Sequence, residues 1–180
     1  ILDPVKPSIL AVRIISNVDR GFAEKLGLTS DQRALGLITC DIDDSLYVAL
    51  DEATKFAEVD VVYAKSFYAG SGHASGPLSG EIIGMLAGPT PAEVRAGVDA
   101  CVAYAEEEAW FYSANEAGDL AFFPHLISST GTYLSKEAGI PVGQPMAYLI
   151  APPLEATFAL DLAVKAADVS VATYFEPPSE

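Results

Sequence analysis

The chain has 180 residues, with 25 Asp and Glu against 10 Lys and Arg, giving a formal net charge of -15. Such a surface repels nucleic-acid backbones and anionic membranes and favours cations or amines as small partners. Apolar residues make up 51% of the chain, which excludes an intrinsically disordered polypeptide, yet Pro152, Pro153 and Glu155 interrupt the best candidate for the run of ~20 apolar residues that a membrane helix needs.

In chain order, residues 9–15 are apolar and β-branched and predict a strand. Asp19 suits the N-cap of a short helix in which Phe22 and Leu26 share a face and Gly27 occupies the C-cap. Residues 35–40 predict a second, buried strand running into Asp41-Ile42-Asp43-Asp44. Asp44 or Ser45 then caps a helix whose Leu46, Ala49, Ala53 and Ala57 recur at helical spacing. Residues 59–68 alternate as a strand, the glycine-rich stretch 70–80 is a loop, and residues 81–87 return as a strand. Thr90-Pro91-Ala92-Glu93 combines an N-cap, a Pro at N1 and the Glu of a capping box. The helix that follows buries Val94, Val98, Cys101 and Val102. Residues 110–123 bridge to a second cycle: a strand, a helix over 129–138 with Gly139 as its cap, a strand over 146–150, a helix over 154–167 and a strand over 169–175.

The second cycle repeats the first. Ala49/Ala159, Leu50/Leu160, Asp51/Asp161, Ala53/Ala163, Lys55/Lys165, Ala57/Ala167, Val59/Val169 and Val61/Val171 are identical at an offset of 110, eight positions in thirteen. Upstream the offset is 112: Ile15-Ser16 answers Ile127-Ser128, Gly27 answers Gly139, and Leu37-Ile38 answers Leu149-Ile150. One α/β domain is therefore written twice, with boundaries expected at 1–112 and 113–180. Two copies at this period suit duplicated globular domains better than a solenoid. The two extra residues of the first copy are assigned to the acidic run 41–44, which marks it as the place to look for function. Nothing after Glu180 answers residues 81–104, so the second copy is expected to lack a strand and a long helix, with the record shortened or another subunit filling the gap. The opening Ile-Leu-Asp-Pro is no signal peptide. With only Cys40 and Cys101, a reducing cytoplasm and core roles for both thiols are expected.

Two chemistries compete for the acidic run. The segment from Leu37 to Leu46 resembles the first motif of haloacid-dehalogenase-type phosphotransferases, with Asp41 as nucleophile, Asp43 as acid/base and Mg²⁺ shared between them. No downstream Lys and second acidic pair complete that motif, and the repeat carries the same strand without acids. The glycine loop around His73 fits neither a dinucleotide-binding fingerprint nor a P-loop. His73 and His125, the two histidines, form no ligand pair, so no metal and no cofactor are expected. Trp110, Phe111 and Tyr112 read first as linker packing.

A resemblance covers nearly the whole chain. The segments Leu35-Gly36-Leu37-Ile38, Asp51-Glu52-Ala53-Thr54-Lys55, Glu58-Val59-Asp60-Val61-Val62-Tyr63, Ala87-Gly88-Pro89, Ser113-Ala114-Asn115-Glu116 and Ala151-Pro152-Pro153-Leu154-Glu155-Ala156 resemble the tandem-domain shell proteins of ethanolamine-utilisation bacterial microcompartments. The resemblance implies two circularly permuted microcompartment domains, each an α/β (α+β) sandwich with a ferredoxin-like sheet and helices. It also implies a non-enzymatic pseudohexagonal homotrimer that tiles with other shell proteins, a gated central pore, and small acidic pores that bind or pass ethanolamine. The matching pore residues here are Asp43, Asp44 and Glu81, with Phe111 as an aromatic neighbour of the ligand. The segment that completes that site in the family lies beyond Glu180. The alternatives are a Mg²⁺-dependent phosphohydrolase using Asp41 and Asp43, and a small-molecule sensor built on the same domain pair.

Overall fold

The fold is taken from a computed structural model that describes residues 2–67 and 81–175; the glycine loop around His73 lies outside them. Eight strands and five helices follow one another among the described residues: β1 (Pro4–Val5), β2 (Ile9–Ile15), α1 (Arg20–Lys25), β3 (Ala34–Cys40), α2 (Asp43–Phe56), β4 (Asp60–Phe67), β5 (Glu81–Gly88), α3 (Pro91–Glu107), β6 (Phe111–Ser113), β7 (Ala121–Ile127), α4 (Thr132–Ala138), β8 (Met146–Ile150) and α5 (Pro153–Ala166). They form two antiparallel sheets, ordered β2-β3-β5-β4 and β1-β6-β7-β8.

The first sheet is buried on both faces. Strand alternation sends Ile82 and Leu86 of β5 into a core with Ile38, Leu46, Leu50, Val94, Val98 and Cys101, which is covered by α2 and α3. Ala87 turns the other way, into a smaller cluster with Val18, Ala23, Leu28 and Leu35 beneath α1. Each fully buried Leu or Ile here contributes about 2 kcal/mol by leaving water. The sheet and α3 approach closely because Gly36 lacks a side chain: a Cβ there would lie 2.6 Å from Val98 Cγ2. Both cysteines are free and buried in this core, and burial pushes the Cys40 thiol up to about 12.

Helix ends follow local chemistry. Asp19 caps α1 by accepting from Phe22 N at 3.1 Å, and Gly27 adopts the left-handed conformation just past its end (φ 71). Thr90 caps α3, accepting from Glu93 N at 3.2 Å. The predicted capping box stays half made, because Glu93 Oε2 accepts instead from Glu58 N at 2.9 Å and ties α3 to the start of β4. The expected side-chain cap of α2 is absent: the helix begins at Asp43 with Ile42 as N-cap and no capping side chain. Ser45 is buried and its Oγ donates to the Ala109 carbonyl at 2.6 Å.

Three further sequence expectations are corrected. The two extra residues of the first copy are not an acidic loop. They lengthen β3 to seven residues against five in β8, while the connections to α2 and α5 are equally short. Thr39 and Cys40 are accommodated in β3 because β5 runs alongside and pairs with them. Residues 169–175 form no strand. Their counterpart, β4, pairs only with β5, and no described residue supplies the equivalent of β5 in the second sheet. Finally, the helix expected over 129–138 begins only at Thr132. Thr130 is held by its hydroxyl, which donates to the Gln144 carbonyl at 2.9 Å. β6 pairs on one side with β1 and on the other with β7.

Candidate functional site

The two sheets meet where α2 leaves its own core. Its inner face, with Leu46, Ala49, Leu50 and Ala53, belongs to the first core. Its other face carries Val48, which joins Ala109, Phe123, Ile127 and Leu134 in a third cluster against the second sheet. Polar groups on that face then hold α4. Asp51, 1% exposed, accepts from Gly131 N at 2.7 Å and from Leu134 N at 2.8 Å. Thr54 Oγ1 accepts from Thr132 N at 3.0 Å, and Lys55 Nζ donates to the Ser129 carbonyl at 3.0 Å. An α2 carboxylate thus supplies the cap that Gly131 cannot.

At the start of α2 this junction holds the acidic pair. Tyr148 on β8 donates its hydroxyl to Asp44 Oδ1 at 2.8 Å. Asp43 Oδ1 accepts from Asp44 N at 2.9 Å, and its carboxylate also bonds the Ser66 side chain on β4. Burial raises the Asp43 carboxyl. Burial, reinforced by the charge of Asp43, pushes Asp44 up to about 6 against the stabilising hydrogen bond from Tyr148. The helix N-terminus favours negative charge, but desolvation outweighs it. Among the described residues neither carboxylate is ion-paired. A half-buried acidic pair with hydroxyl donors can hold an incoming ammonium.

An aromatic stack runs from this pair into the second sheet. Phe123 lies edge-on to Tyr148 (centroids 5.8 Å apart) and stacks on Phe111 at 4.8 Å and on His125 at 5.0 Å. His125 Nε2 hydrogen-bonds the Tyr104 hydroxyl of α3 at 2.7 Å. Burial lowers the pKa of this histidine, which favours neutral imidazole as acceptor and Tyr104 as donor.

Of the four residues singled out in the sequence, the structure gathers Asp43 and Asp44 directly and places Phe111 one ring removed, behind Phe123. Glu81 begins β5 opposite Phe67 and is buried, 4% exposed. By alternation it shares the sheet face of Ile83 and Met85, whereas Ser66, opposite Ile82, shares the other. Asp41 is occupied elsewhere: its Oδ1 accepts from Ser8 N at 2.6 Å. No group of three His, Cys, Asp or Glu able to hold a metal occurs among the described residues. The phosphohydrolase alternative therefore lacks its Mg²⁺ cage there. Sequence inspection missed Tyr148, Ser66 and the Tyr104–His125 pair. The alternation of β7 and β8, which sets His125 opposite Tyr148, was the available signal for two of them.

Comparison with known proteins matches the BMC domain to residues 34–115. The bacterial microcompartment shell protein EutL of Salmonella typhimurium is 56% identical over 179 residues, spanning 99% of this chain and 82% of that protein. The crystal structure of the ethanolamine utilization protein EutL from Leptotrichia buccalis aligns with a TM-score of 0.91 at 57% identity, over 99% of this chain and 82% of that one. A crystal structure of EutL from Clostridium perfringens aligns equally well, with a TM-score of 0.91 at 54% identity, over 99% of this chain and 81% of its own.

Proposed function

Because the chain belongs to the EutL family of bacterial microcompartment shell proteins, we propose that it builds the shell of an ethanolamine-utilisation microcompartment as a homotrimer and passes or holds ethanolamine at the Asp43–Asp44 pair. It is a structural protein rather than an enzyme, as its relatives are named. Its two units, residues 1–112 and 113–180, act as tandem microcompartment domains. Each trimer packs beside other shell proteins, with small acidic pores and a gated central one. The net charge of -15 disfavours nucleic acid and anionic membranes as partners, and no described helix is long and apolar enough to cross a bilayer.

The observation that carries the ligand assignment is the partly buried Asp43–Asp44 pair at the junction of the two units. Burial, and after it the neighbouring charge of Asp43, raises the pKa of Asp44, so a protonated amine that inserts between the two carboxylates relieves a cost already present. The Tyr148 hydroxyl orients one carboxylate, and the Phe111–Phe123 stack provides an apolar wall beyond it. Glu81, at the start of β5 and on the opposite sheet face from Ser66, adds only longer-range negative charge. Partial burial strengthens the charge contact, while access to water keeps binding weak enough for release.

Calorimetric titration with ethanolamine tests this. Asp44→Asn and Asp43→Asn should each weaken binding by about tenfold or more, and Glu81→Gln by less. Unchanged affinity in the Asp43→Asn, Asp44→Asn double variant would remove the assignment. Native mass spectrometry of the same protein tests the trimer.

A further inference from the structure

Asp43 and Asp44 are neighbours on α2, yet each is held by a different part of the molecule. The Tyr148 hydroxyl on β8 donates to Asp44 Oδ1 at 2.8 Å. Asp43 is held from the first sheet instead. Its Oδ1 accepts from Asp44 N at 2.9 Å, and its carboxylate bonds the Ser66 side chain on β4. Register puts that serine in place. Ser66 lies opposite Ile82, which is wholly buried in the core under α2 and α3, so alternation turns Ser66 toward α2 while Lys65 and Glu81 take the other sheet face. Tyr47, one helical turn beyond Asp43, reaches the same serine, and its hydroxyl is hydrogen-bonded to both the side chain and the backbone of Ser66. A serine hydroxyl has one proton to give and two lone pairs. An ionised carboxylate only accepts, so the proton goes to Asp43 and the Tyr47 hydroxyl donates to the Ser66 oxygen.

We propose that Ser66, backed by Tyr47, is a positioning residue for amine binding, fixing the Asp43 carboxylate from the first sheet as Tyr148 fixes that of Asp44 from the second; this rests on the ethanolamine reading above. A carboxylate without such an anchor turns easily about its terminal bond and loses that freedom when an ammonium arrives, which weakens binding. The Tyr47–Ser66 relay removes the loss in advance. Its donor also favours the charged form of a carboxyl that burial would otherwise neutralise. The titratable groups around Asp43 are Asp44 and Tyr47 on α2 and Tyr148 on β8, and Tyr133 of α4 stands beside Tyr47 with ring centroids 6.4 Å apart. None of these four supplies positive charge. The opposition to burial comes from the backbone N–H groups at the start of α2 and from the Ser66 hydroxyl.

The test compares the full-length wild type with Ser66→Ala, Ser66→Thr and Tyr47→Phe by calorimetric titration with ethanolamine at several pH values. Ser66→Ala should weaken binding at neutral pH by about fivefold or more and raise the pH at which affinity is half lost by about half a unit. Ser66→Thr keeps the hydroxyl on a β-branched residue suited to a strand and should restore both. Tyr47→Phe should weaken binding by about two- to threefold. The Asp43 carboxyl, followed by carbon-13 NMR without ligand and assigned by its loss in Asp43→Asn, should titrate at higher pH in Ser66→Ala than in the wild type. A Ser66→Ala protein that binds as the wild type does, or that leaves the Asp43 titration where it was, overturns the positioning role while the ethanolamine site stands. Weakened binding that Ser66→Thr does not restore overturns it too, because that loss belongs to packing rather than to the hydroxyl. A wild type that binds no ethanolamine overturns the site, and this role with it.

Discussion

The carboxylate of Asp51 accepts a hydrogen bond from Leu134 N at 2.8 Å across the junction of the two sheets. One half of the molecule thereby terminates a helix of the other. Asp51 recurs as Asp161 in the second copy, so the sequence repeat and the junction are two aspects of one arrangement.

Removing that cap should be costly. Asp51→Ala leaves Gly131 N and Leu134 N buried without an acceptor, and a loss of about 2–4 kcal/mol is expected in urea unfolding. Asp51→Asn keeps one acceptor oxygen and should lose roughly half as much. Gly131→Ala approaches the same site from the other side. Its Cβ would lie 2.6 Å from the Asp51 carbonyl oxygen, and a drop of about 1–3 kcal/mol is expected from the forced displacement.

The acidic pair should make stability depend on pH in an unusual direction. Asp44 holds its proton more tightly in the folded chain, near 6, than its ordinary value of 3.8 in the unfolded one. Between those values the native state binds more protons, so stability falls as pH rises from about 4 to 6 and stays low above that. Asp44→Asn removes this slope and should raise stability at pH 7 by about 1–2 kcal/mol. Chemical denaturation at pH 4.5 and 7 gives both numbers.

The same shift links ligand binding to protons. An ammonium group favours the ionised pair, so affinity for ethanolamine should decline below pH 6, approaching tenfold per unit. Titrations at pH 5, 6 and 7.5 would show it. Affinity that does not change across that range would mean that the amine binds elsewhere.

His125 works in the opposite sense. Its pKa is lowered by burial, with Lys55 acting in the same direction and Glu108 and Glu52 against it. Stability that depends on neutral imidazole is complete above about 6.5 and is lost as pH falls through the folded value. His125→Gln should therefore flatten the loss between pH 6.5 and 5. Tyr104→Phe should cost about 1 kcal/mol at pH 7.5 by removing the donor to Nε2. Thermal melts over that range distinguish the two.

Much of the fold was legible because its signals are local. Asp19, Thr90, Gly27 and Gly139 mark helix ends by chemistry confined to one turn, and all four act there. The repeat identified α5 from α2 and β8 from β3. Local rules gave way where a distant group made a competing bond. Glu93 turned from its own capping box to Glu58 N, and Ser45 turned from capping α2 to the Ala109 carbonyl. Residues 169–175 have the composition of a strand, but a strand needs an edge to pair with. The acidic pair was visible as a cluster. Its partner Tyr148, 104 residues away, became visible only once β8 was laid against the start of α2.

The short strand β1 has a consequence for how the protein is made. Residues 4–5 pair with Phe111 and Tyr112, while Leu2 N donates to the Ser113 carbonyl at 2.8 Å and Ser113 N to the Asp3 carbonyl at 2.9 Å. The earliest described stretch to leave the ribosome is therefore stitched to the later half and must wait, unpaired, for more than a hundred residues to be synthesised. Closing that loop costs chain entropy late in folding. An N-terminal fusion or deletion should consequently slow completion of the second sheet while leaving assembly of the first almost untouched.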